Sequence, residues 1–226
     1  MQSEPLTRSR LKTPRAAAIA GIAFSVLLIA AFGLLRVSVP ADPHDAGAWL
    51  RGGTRTVAIA LNLVPFAGIA FLWFIGVLRD RLGAAEDRFF GTVFLGSGLL
   101  YLAMLFCAAA LAGAVILAFA ARPREVIDSA MFHFARAAVY DLVNIYMTKM
   151  ACIFMISTST VAIRTGFAPY WLALTGYAMA ALLLLGSYYV SWGFVVFPLW
   201  VLVTSIHILV DNVWRSPSEP RAAGDE

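Results

Sequence analysis

Charge is what this sequence has least of. Only 13% of its 226 residues are Asp, Glu, Lys or Arg, against 61% that are hydrophobic, and the mean hydropathy is +0.82. A soluble domain carries about a quarter charged residues, so too few polar side chains exist here to coat a water-facing surface. That excludes a soluble globular enzyme, a nucleic-acid-binding domain and a disordered chain. Cysteine is scarce as well. Cys107 and Cys152 both fall inside apolar runs, which suits small packing residues and argues against a disulfide framework or a metal site. The spaced motifs of common enzymes are missing: there is no P-loop, no H-E-x-x-H, no C-x-x-C and no dinucleotide-binding glycine fingerprint. Ser9-Arg10-Leu11-Lys12 fits S-x-x-K only by lying in a polar tail, without the motifs that accompany it in enzymes. Nothing in the sequence implies a cofactor. The 17 basic against 13 acidic residues (pI near 9.3) form no stretch interleaved with aromatics, so the excess reads as a topology signal and nucleic acid is not an expected partner.

Long apolar runs are what the sequence does have. About 20 predominantly apolar residues cross a hydrocarbon core about 30 Å thick. Six runs qualify: Ala16–Val37, Thr56–Leu78, Phe89–Ala120, Leu142–Ile163, Ala168–Gly186 and Val190–Val210. The gaps between them are too short to separate folded domains. The expected fold is therefore all-α, an integral membrane bundle of six transmembrane helices over residues 16–212, with polar tails at 1–15 and 213–226. The first run could pass for a signal peptide before Val39-Pro40-Ala41. Its apolar stretch is longer than the 7–15 residues of a signal core and Arg36 interrupts the approach to that site, so it reads as a retained helix.

Basic residues set the expected orientation. With the N-terminus inside, ten fall on the cytoplasmic side, among them Arg8, Arg10, Lys12, Arg15, Arg79 and Arg164. Six fall outside: Arg36, Arg51, Arg55, Arg122, Arg124 and Arg136. Aromatics agree, with Trp73, Tyr170, Trp171 and Trp214 marking one interface and Trp49, Tyr188, Tyr189 and Trp192 the other. The third and fourth helices read as long. Pro123 suits a helix start, followed by Glu125 and Asp128 near its positive end. Residues 124–140 either lie in the interface or run on into the fourth span as a projecting hairpin, the arrangement we expect. Ala17, Gly21 and Ser25, and Ala109 with Gly113, form small-residue stripes that suit close helix packing. Pro65 and Pro198 interrupt spans two and six, which do not correspond under the inverted repeat common in transporters.

Polar residues inside a span are costly and so are candidates for function. Lys149 stands out, about seven residues into the fourth span. Asn62 lies at similar depth in the second span beside Pro65, whose missing N–H frees a carbonyl. The expectation is an outer-half polar pocket of Asn62, Pro65, Asn144, Thr148 and Lys149, with Asp141 and Thr148 on one face leading to the surface. Its alternative is a hydrogen-bonded patch that locks two helices together. His207 and Asp211, four apart on the last helix, form a second polar cluster, suited to capping or to proton chemistry. The run Ser157-Thr158-Ser159-Thr160 reads as hydroxyls bonded back to their own helix or to its neighbours.

The stretch Leu63-Val64-Pro65-Phe66-Ala67-Gly68 through Leu78-Arg79-Asp80-Arg81-Leu82-Gly83, continuing into Phe89–Leu105, resembles uncharacterised bacterial multi-pass membrane proteins. The resemblance implies a bacterial inner membrane and brings no activity or site residue with it. Ser97-Gly98 in span three and His207 in span six faintly resemble rhomboid proteases, although Leu95 stands where their G-x-S-G motif has its first glycine. Three functions follow as expectations. The first is a small-solute or ion transporter using the outer pocket. The second is a non-catalytic partner or assembly subunit, homo-oligomeric or bound to another membrane protein. An intramembrane enzyme is the distant third. The lipid bilayer is the expected partner of all three.

Overall fold

The computed structural model describes residues 13–40, 45, 47–82, 88–166, 168–186 and 193–214. Residues 1–12 and 215–226 of the expected tails, His44, and the aromatics Tyr188, Tyr189 and Trp192 lie outside them. Among the described residues every element is helical and none is a strand. The helices are α1 (Thr13–Ser38), α2 (Thr54–Leu82), α3 (Arg88–Ala121), α4 (Pro123–Val126), α5 (Ala130–Asp141), α6 (Thr148–Thr165), α7 (Tyr170–Gly186) and α8 (Gly193–Trp214). A 3-10 turn, Ala48–Arg51, precedes α2, and a π turn, Leu142–Met147, joins α5 to α6.

Local chemistry sets several boundaries. Pro123 opens α4, where the missing N–H is no loss. The Ser129 hydroxyl caps α5 by accepting from the Phe132 N–H at 3.1 Å. Gly166, at φ 66°, ends α6 and donates its N–H to the Ala162 carbonyl. Among the described residues the six apolar runs are largely helical, the fourth shared between the π turn and α6. Five of these helices are long and apolar enough to cross a membrane, while α7, with 17 residues, is shorter.

Sequence-distant helices close the bundle. Helix α1 lies between α2 and α8, α3 leans on α2 and α6, and α7 packs on α6. The stripe Ala17, Gly21 and Ser25 is buried on α1. A Cβ at Gly21 would collide with the Ser205 hydroxyl and with Phe74, so this glycine permits α1 to approach α8 and α2 together. The other small stripe is looser, since a Cβ at Gly113 would only reach Leu61 at 4.0 Å. Along α2, Val57, Ala60, Val64, Ala67, Phe71 and Phe74 are buried at steps of three and four, the spacing of a helix-packing seam.

Aromatic rings fill the centre. Phe24 of α1, Phe71 of α2, Phe94 and Tyr101 of α3, Phe154 of α6 and Phe197 of α8 are each 1% exposed or less. Ring centroids stand 4.5 Å apart for Phe24–Phe71, 4.7 Å for Tyr101–Phe197 and Phe94–Phe154, and 5.3 Å for Phe71–Phe154. Tilted and edge-on pairs at such spacings add about 0.5–1.5 kcal/mol each beyond burial. Five helices thus meet through one ring cluster.

A smaller cluster sits at the far end of α3. Leu50, Val126 and Phe132 are buried there, with Trp49, Val115 and Phe119 packed against them. Trp49, expected as an interfacial belt residue, belongs to this cluster because the 3-10 turn folds back onto α5. Gly47 makes the fold-back possible: its φ is 89°, and a Cβ there would lie 2.7 Å from the Phe132 ring. The Arg136 guanidinium donates to the Pro40 carbonyl at 2.9 Å, tying the same loop to α5. Residues 130–140 run on into α6 through the π turn, alongside α3.

Candidate functional site

Lys149 is the second residue of α6, and its ammonium donates to the Leu184 carbonyl of α7. Leu184 stands in the last turn of α7. The final four carbonyls of any helix lack intrahelical partners and carry the negative end of its dipole. A lysine there neutralises both deficits at once, so Lys149 caps its neighbour helix.

The other expected pocket residues do not converge on it. Asn62 is exposed and donates its amide to the Ala58 carbonyl at 2.8 Å. It shares its face of α2 with Ile59, Phe66, Ile69 and Trp73, which are 51–66% exposed, and Pro65 is exposed too. Helix α2 packs on α1 and α3, whereas α6 packs on α3 and α7. Asn144 donates to the Tyr140 carbonyl at 3.0 Å, and the buried Thr148 donates to the Val143 carbonyl at 3.0 Å. These short polar side chains bond to carbonyls of their own helical stretch. Asn62 and Pro65 thus lie on an exposed face of α2, and the Asn62 amide is bonded to Ala58 where Lys149 is bonded to Leu184.

The path from Asp141 to Thr148 also changes. Seven residues along an ordinary helix share a face, but Leu142–Met147 is a π turn with one extra residue. Asp141 is therefore exposed while Thr148 is 2% exposed. In the second cluster, His207 lies edge-on to Trp171 of α7 at a centroid distance of 6.0 Å, with Asp211 one turn further along α8. Ser97 gives its hydroxyl to the Phe94 carbonyl in α3, so it and His207 are engaged in different places. Among the described residues no group of three His, Cys, Asp or Glu could hold a metal ion.

A third polar site lies where α6, α7 and α8 meet. Of the hydroxyl run on α6, Ser157 bonds back to the Ile153 carbonyl, and Thr160 bonds to the Ile156 carbonyl and, at 2.6 Å, to the Tyr177 hydroxyl. Thr158 and Ser159 differ. Their side-chain oxygens are buried without a partner among the described residues, as is the Trp200 indole N–H. All three residues line a cavity of about 10 Å³ with Leu172, Ala173 and Thr204. A Cβ at Gly176 would meet the Ser159 hydroxyl and stand 3.1 Å from the Trp200 indole nitrogen, so this glycine brings the two together. Only apolar atoms face this cavity, and a water needs two to four polar partners, so the space is not a water site. The lining residues are uncharged, and neutral hydroxyls and an indole supply no acid or base near neutral pH. Consecutive hydroxyls look alike in sequence, and only the α7 and α8 partners divide this run in two.

Compared with models of protein families, with curated proteins and with solved structures, the chain matches none.

Proposed function

We propose that this chain is a six-span integral protein of a bacterial inner membrane, both ends cytoplasmic, that serves as a non-catalytic partner or assembly subunit. The observation that carries the reading is the Lys149 cap on Leu184. The one cation deep in an apolar run is committed to joining α6 to α7, and aromatic rings occupy the middle of the bundle. Helix α7 counts as the sixth span at 17 residues, the short end of the crossing range. The 34 residues of α3 extend about 50 Å against a core of about 30 Å, so its far end projects with α4 and α5 on the outer side.

The test is thiol accessibility at position 149. Lys149→Cys, in a chain with Cys107 and Cys152 replaced, is exposed to a membrane-impermeant maleimide in intact cells. A packed cap predicts slow labelling in folded protein. Rapid labelling from outside would overturn the reading. Small-solute or ion transport is the second reading, favoured by the buried polar groups of Thr158, Ser159 and Trp200, which have no partner among the described residues. It predicts that Ser159→Cys reacts with small thiol reagents and that a bound solute slows the reaction.

A further inference from the structure

Helix α2 carries two hydrophobic seams and uses one of them inside the chain. The buried seam from Val57 to Phe74 meets α1 and α3. On its other side Ile59, Asn62, Phe66, Ile69, Trp73 and Gly76 also follow at steps of three and four residues, and all six are exposed. This alternation is the spacing that lets two helices pack as a left-handed pair. Asn62 is its one polar side chain.

The position of Asn62 selects the occupant. It lies eight residues beyond Thr54, about 12 Å along the axis and so inside an apolar layer about 30 Å thick. One amide N–H goes to Ala58, which leaves a second N–H and the side-chain oxygen for other partners. Facing hydrocarbon, those groups go unsatisfied at considerable cost. A symmetric pair about an axis normal to the membrane sets each residue opposite its own copy at equal depth. Asn is self-complementary, donor and acceptor on one amide, so a second copy supplies the matching group without further provision. An unrelated partner would need a polar residue at the same depth.

The area is sufficient. Ile59, Phe66, Ile69, Leu72 and Trp73 are 43–66% exposed. They offer on the order of 500 Å² per copy and about 1,000 Å² for a pair, the level that a specific interface reaches. The geometry points to a symmetric dimer of this chain, joined along the outward seam of α2 with Asn62 hydrogen-bonded to the partner's Asn62. This deepens the assembly reading and rests on α2 crossing the membrane.

The experiment is a cysteine cross-linking scan along α2 in lipid vesicles, with Asn62 intact and Cys107 and Cys152 replaced. Disulfide dimers should peak at Ile59→Cys, Phe66→Cys, Ile69→Cys and Trp73→Cys, and fall at Leu61→Cys and Leu63→Cys. Asn62→Leu should weaken the dimer about three- to tenfold in an energy-transfer titration, the range of a single interhelical hydrogen bond, while Asn62→Gln should retain most of it. Cross-linking without this period, a monomer at every protein-to-lipid ratio, or adducts with a different protein would each overturn the dimer. Impermeant maleimide separates the two readings. Phe66→Cys labelled as fast as Arg51→Cys would overturn the membrane-spanning reading of α2. Protection of Phe66→Cys without cross-linking would overturn the dimer alone.

Discussion

A single side chain carries most where it meets backbone. Removing the Lys149 ammonium leaves the Leu184 carbonyl without its donor, and hydrogen bonds to charged groups contribute about 1.5–3 kcal/mol. Lys149→Met is expected to destabilise by about that amount, read as a lowered unfolding midpoint in detergent, with Lys149→Arg intermediate. Gly176 makes the opposite kind of demand. Gly176→Ala places a methyl against the Ser159 hydroxyl and the Trp200 ring, and overpacking of this kind costs about 1–3 kcal/mol. Adding Ser159→Ala, which removes the oxygen nearest that methyl, should recover part of the loss in the same assay. Lys149 could be singled out from sequence because a cation inside an apolar run is conspicuous. Its partner could not, because a backbone carbonyl has no letter of its own. Asn62 shows the converse: its place within an apolar run was legible, but the face it occupies depends on which side of α2 meets α1.

Helices, as elements, were legible because period and length are written in the apolar runs. Their registers were not. The π turn at Leu142–Met147 changes which residues of α5 and α6 share a face, and nothing in the letters Leu-Val-Asn-Ile-Tyr-Met marks it. Deleting Ile145 should convert the turn to ordinary helix and rotate α5 by about 100° relative to α6. Phe132 and Arg136 would then leave Leu50 and Pro40. The expected result is faster proteolysis between residues 40 and 53 in vesicles, with the bundle otherwise intact. Unchanged cleavage would mean that the turn does not set the position of α5.

For the molecule as a whole, the ring cluster is the common contact of five helices. Phe71 packs against Phe24, Phe74, Tyr101, Phe154 and Phe197. Phe71→Ala should therefore cost about 3–5 kcal/mol, whereas Phe134→Ala, at a side chain 72% exposed, should stay within about 0.5 kcal/mol. Denaturant titration in mixed micelles distinguishes the two. The proposed topology has its own check: Arg51→Cys and Arg122→Cys should label from outside intact cells, and Arg164→Cys should not.

The tether between Pro40 and Arg136 joins residues 96 apart in sequence. A ribosome adds about 5–20 residues per second, so the loop before α2 emerges on the order of 5–20 s before the arginine that will hold it. Over the second half of that interval α1 and α2 are both made, and the loop between them still lacks this anchor. Biogenesis must carry an unfinished hairpin through this wait, and a nascent chain stalled before α5 would display that loop untied, its end most open to proteases and chaperones.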